Sequence, residues 1–104
     1  MYNLIYSEEV DRDLTAIFNY IAEDSEIRAS EYLGKIEACI LHLQKNPELG
    51  RIGKYPELQR LGVRVLPFEN YLILYTISEK NQSVSILRVI HGLSLIHISE
   101  PTRR

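Results

Sequence analysis

The chain has 104 residues, 45% hydrophobic and 25% charged, which suits one globular domain around a single core. A net charge of −2 excludes a bulk electrostatic pull toward nucleic acid, and a lone cysteine, Cys39, excludes an internal disulfide. The charge is nonetheless divided: residues 1–50 hold four Lys/Arg against ten Asp/Glu, and residues 51–104 hold eight against four, so an acidic half and a basic half are expected.

In chain order, Tyr2 to Tyr6 is a short strand candidate. Ser7 has the chemistry of a helix N-cap, with Glu8, Glu9 and Asp11 in the first turn. Val10, Leu14, Ile17, Phe18 and Ile21 then recur at spacings of three and four, which predicts a helix ending near Asp24 or Ser25. Ser25 caps a second helix whose apolar set is Ala29, Tyr32, Leu33, Ile36, Cys39, Ile40 and Leu43. Lys45-Asn46-Pro47 stops it, because the residue before proline is pushed out of the helical region. Glu8 with Arg12 and Glu31 with Lys35 are spaced for weak ion pairs along these helices. Cys39 falls in the apolar stripe as a small core residue.

Asn46 to Gln59 reads as a loop with two Pro and two Gly. It sets Arg51 and Lys54 beside Tyr55, and a cationic loop next to an aromatic can track phosphates and stack bases. Solvated loop charge is the competing reading.

Arg60 to Gly92 is expected to form a sheet. Leu61 to Leu66, Tyr71 to Ile77 and Val84 to Ile90 are strand-forming runs, separated by turns at Pro67 to Asn70 and Ser78 to Ser83. Such short connections join antiparallel neighbours. The order strand, helix, helix, loop, three strands predicts an α+β fold. In it an antiparallel helical hairpin packs on one face of a three- to four-stranded antiparallel sheet, the first strand lying beside the last. Alternation puts Val84, Ile86, Arg88 and Ile90 on one face of the last strand and Ser85, Leu87, Val89 and His91 on the other. Cations resist burial, so an open face carrying both Arg64 and Arg88 is expected.

No stretch approaches the roughly 20 apolar residues of a membrane span. Met1-Tyr2-Asn3 lacks the basic start of a signal peptide. A cytoplasmic protein with no membrane partner is expected. His42, His91 and His97 have no Cys/His partners at metal-ligand spacing, and no phosphate-cradling glycine loop or serine elbow is present, so no metal or other cofactor is expected.

PELGRIG at 47–53, LGVRVLPF at 61–68, YLILYTI at 71–77 and ILRVIHG at 86–92, in that order and spacing, resemble the RelE/ParE superfamily of bacterial toxin–antitoxin toxins over residues 1–92. The resemblance implies a toxin linked to growth inhibition and plasmid stabilisation, held inactive by a cognate antitoxin. It leaves two targets open. RelE-like members enter the ribosome and cut mRNA; ParE-like members poison DNA gyrase and are not known as nucleases. If the chain is RelE-like it is an endoribonuclease, and Arg64, Arg88 and His91 are the catalytic candidates, since such cleavage needs a proton-transfer group and cations around the phosphate. If it is ParE-like it is no enzyme. On either branch Arg51, Lys54, Tyr55, Arg64 and Arg88 are candidates for target or antitoxin binding. The wording HG after the last strand looks more ParE-like. Residues 93–104 depart from the family and resemble translated read-through of a vector or adapter joint, so a foreign or truncated end is expected there. An inactive truncated binding module is the remaining alternative.

Overall fold

Two serines set the helical layer of the computed structural model, which describes residues 1–93. The Val10 N–H donates to the Ser7 hydroxyl at 3.0 Å, opening α1 (Glu8–Ala22), and the Arg28 N–H donates to the Ser25 hydroxyl at 3.2 Å, opening α2 (Glu26–Leu41). A 3-10 turn, His42–Gln44, ends α2 and drops Leu43 into the core. The Glu8–Arg12 pair forms at 3.7 Å between exposed side chains, whereas no Glu31–Lys35 pair forms. Cys39 is half-buried against the core.

The sheet has five strands: β1 (Asn3–Tyr6), β2 (Arg51–Ile52), β3 (Arg64–Phe68), β4 (Tyr71–Ser78) and β5 (Ser83–His91), in the order β1-β5-β4-β3-β2. All neighbours are antiparallel except β1 and β5, which run parallel, an arrangement open to them because the whole of the chain between them serves as a long connection. The expected α+β architecture is present, with β1 beside the last strand and the helices on one face. The segment expected to be loop also contains β2 and a short helix, α3 (Pro56–Leu61). Proline begins α3, and Gly62, at φ 70°, ends it by donating its N–H to the Leu58 and Gln59 carbonyls. The first expected turn is shorter than the sequence suggests. β3 runs through Pro67 to Phe68, which pairs with Tyr71, leaving Glu69 and Asn70 as a two-residue turn with Glu69 at φ 54°.

Ile73, Tyr75, Val84 and Ile86 point into the helical layer and meet Val10, Ile36, Ile40 and Leu43, all fully buried. Each such aliphatic side chain contributes about 1.5–3 kcal/mol of transfer free energy. The expected alternation fails at one point. Tyr75 pairs with Ile86 but Leu74 pairs with Arg88, so Leu87 is a bulge with no partner on β4. Past the bulge the parity reverses: Val89, rather than Arg88, joins Val84 and Ile86 in the core. Arg64 pairs with Tyr75 while Arg88 pairs with Leu74. Adjacent residues of β4 face opposite ways, so Arg64 and Arg88 do not share the single open face that their charge predicts. The foreign or truncated end expected at residues 93–104 lies, apart from Leu93, outside the described residues.

Candidate functional site

Arg51, Lys54 and Tyr55 line one cleft of about 620 Å³ on the face of the sheet away from α1 and α2. β2 brings Arg51 opposite Val65, and the chain then turns at Gly53, whose N–H donates to the Val63 carbonyl at 3.0 Å. The short α3 follows, and its Leu58 forms a wall. Val65, Pro67 and Leu72 make an apolar floor, and Gly92 closes the far end. Arg51 and Lys54 are exposed and make no ion pair among the described residues; Tyr55 is half-buried. The cleft thus offers an apolar bed with free cations at its rim. Among the described residues its lining includes no His, Asp or Glu. Such a surface can hold an apolar segment bearing carboxylates or phosphates, and among the described residues it carries no group that ordinarily shuttles protons at neutral pH.

The candidate catalytic residues are dispersed. Arg64, half-buried on the helix-covered face, donates from Nη1 to the Gly50 carbonyl at 2.7 Å. Arg88 is joined to Asp13 of α1 by two hydrogen bonds, Nε to Oδ2 at 2.7 Å and Nη2 to Oδ1 at 3.0 Å. The same Oδ2 accepts the Val89 N–H at 2.9 Å. That N–H lies on the edge of β5 left bare where β1 ends, so Asp13 satisfies both a guanidinium and a free strand edge. The Asp13 bond raises the Arg88 pKa further above its ordinary value. His91 pairs with Tyr71 on the helix-covered face, their rings 5.6 Å apart, and its Nδ1 accepts the Leu93 N–H at 3.2 Å. Tyr71 in turn meets Tyr32 of α2, which packs edge-on against Phe68. His91 therefore belongs to an aromatic cluster under the helices, away from Arg51 and Lys54.

Sequence reasoning missed Gly50 and Tyr75, which hold the loop of the cleft. The buried Tyr75 hydroxyl accepts the Gly50 N–H and donates to the Pro47 carbonyl, both at 2.7 Å. Nothing local in YLILYTI marks Tyr75 as more than a core aromatic; its partners lie 25 and 28 residues away. Among the described residues no cluster of His, Cys, Asp and Glu could hold a metal ion, and no helix is long and apolar enough to cross a membrane.

The sequence model for the ParE toxin of type II toxin–antitoxin systems, parDE, matches residues 4–95. No curated protein sequence is significantly similar to the chain. Several solved structures share the fold. The chromosomal ParDE system from P. aeruginosa is 24% identical, with a TM-score of 0.71 over 88% of this chain and 96% of that one. The RelBE2 toxin–antitoxin complex from Mycobacterium tuberculosis is also 24% identical, with a TM-score of 0.65 over 86% of this chain and 96% of that one. The intact E. coli RelBE complex is 10% identical, with a TM-score of 0.60 over 88% and 98% of the two chains.

Proposed function

The chain belongs to the ParE toxin family of type II toxin–antitoxin systems, and from that premise we propose that it inhibits bacterial growth from the cytoplasm by poisoning DNA gyrase. In this reading Arg51, Lys54 and Tyr55 form the edge that meets acidic groups of the target. A cognate antitoxin silences the chain by covering the same cleft. The observation that carries gyrase over mRNA is the dispersal of Arg64, Arg88 and His91. A nuclease needs its cations and its proton-transfer group around one phosphate. Here one arginine is tied to Gly50, the other to Asp13, and His91 packs on Tyr71.

A second reading, a ribosome-dependent mRNA endoribonuclease, draws on one observation: the RelBE structures share the fold over nearly the same extent as the ParDE structure. Inducing the chain without antitoxin and mapping mRNA 5′ ends together with chromosome breaks separates the two. Filamentous cells with double-strand breaks and uncut mRNA are the expected outcome. Codon-phased mRNA cuts within minutes would replace the gyrase reading with the nuclease one, and neither phenotype would leave an inactive binding module.

A further inference from the structure

We propose that Tyr75 and Arg64 are positioning residues: together they clamp the backbone of Gly50 and so hold Arg51, Lys54 and Tyr55 in one preformed docking edge. The proposal rests on the reading of that edge given above, and it assigns to two residues of the sheet a role exerted through a loop they do not belong to.

The geometry is specific to a single peptide unit and its neighbour. β3 and β4 place Arg64 opposite Tyr75. The Tyr75 hydroxyl takes the Gly50 N–H, the Arg64 guanidinium gives a hydrogen bond to the Gly50 carbonyl, and the Tyr75 hydroxyl gives its own hydrogen to Pro47. All three bonds are 2.7 Å long. Both polar groups of Gly50 are thereby held by side chains, immediately before Arg51 enters β2. Glycine is required by space here. A Cβ at residue 50 would lie 2.8 Å from the Tyr75 hydroxyl oxygen and 2.9 Å from the Val65 carbonyl oxygen. The second contact is with backbone of a paired strand and cannot be relieved by a side-chain rotation.

The chemistry of Tyr75 points the same way. Phenylalanine would fill the same core volume, so packing alone does not call for a hydroxyl. Burial pushes the Tyr75 pKa up, which keeps the phenol neutral and able to donate and accept at once. A loop held in its binding conformation beforehand loses less freedom on docking than one that must be ordered by its partner. Arg64, a phosphate-facing candidate only on the RelE-like reading, gives its guanidinium to the loop.

The test uses Tyr75→Phe and Arg64→Met in the full chain, with amide hydrogen exchange and growth arrest on induction without antitoxin. Tyr75→Phe is expected to speed exchange of the Gly50 amide at least tenfold while amides in β4 and β5 keep their protection. It is also expected to weaken growth arrest to the level of Arg51→Ala, and to add nothing when combined with Arg51→Ala. Unchanged exchange at Gly50 would overturn the clamp, as would a Tyr75→Phe defect that adds in full to that of Arg51→Ala. If Tyr75→Phe does not fold, the half-buried Arg64→Met is read by the same exchange and arrest criteria, and Arg64→Lys, which keeps a donor, should restore part of the effect. Wild-type arrest that is indifferent to Arg51→Ala would instead sink the assignment of the docking edge, while exchange at Gly50 still decides the clamp.

Discussion

On the face of the sheet under α1 and α2, Ile73, Tyr75, Val84 and Ile86 are fully buried, whereas on the opposite face Leu74 is buried but Val65, Leu72, Leu87 and Ile90 stay half-exposed. Similar residue types fill both faces, yet only the covered one needs them for a core. Antiparallel sheets commonly pair a packed face with a solvated, polar one. Here the second face is apolar as well, and its cleft is rimmed by Arg51 and Lys54. Apolar area that the fold leaves uncovered beside free charge is area available to a partner. The contrast assigns stability to one face and recognition to the other.

Truncations on the two faces should expose that division most strongly. Ile36→Ala, on the fully buried side of α2, should cost about 2–5 kcal/mol, while Leu72→Ala in the cleft should cost about 1 kcal/mol or less. Chemical denaturation measures both; equal losses would mean that the open face is part of the core. Next in size is the pin at the bare edge of β5. Asp13→Ala leaves Arg88 and the Val89 N–H without their acceptor and should cost about 1–3 kcal/mol. The loss should persist at high salt, because Asp13 is largely shielded and part of the bond is to backbone. A salt-sensitive loss of a few tenths would reduce the pair to a surface contact.

The division was partly legible in the sequence. The helices were, because Ser7 and Ser25 are local caps and the apolar positions repeat every three or four residues. The strands of the meander were too, since hydrophobic runs and turns are local signals. The parity reversal at Leu87 was not: no Gly or Pro marks it, and it is set by pairing with β4 and by Asp13, 75 residues from Arg88. β2 is two residues long and exists only through its pairing with β3. α3 buries none of its residues, so no apolar period announces it, although Pro56 and Gly62 in PELQRLG are start and stop signals that could have found it. Of the site, the cluster Arg51, Lys54 and Tyr55 was legible as a local composition. The apolar floor and the hold on Gly50 come from strands folded beneath it, and only the register places them there.

The smallest expected effect lies in the aromatic cluster under the helices. Burial first, then the neighbouring Glu69 carboxylate, pushes the Tyr32 pKa from 10.0 up to about 12. The folded chain therefore prefers the neutral phenol, and this contribution is complete below pH 10 and is lost as the pH rises through about 12. Tyr32→Phe should flatten the alkaline fall in stability over that window, measured by denaturant midpoints at successive pH values. An unchanged slope would place the fall on other tyrosines.

Separation of the two faces is tested most directly by reversing the charge of the cleft. The double variant Arg51→Glu/Lys54→Glu is measured for melting temperature and for growth arrest on induction without antitoxin. Exposed charges outside the core should move the melting temperature by no more than roughly 2–4 °C, and the account expects growth arrest to be lost. Arrest at the wild-type level in a stably folded double variant would contradict it and move recognition to another part of the surface.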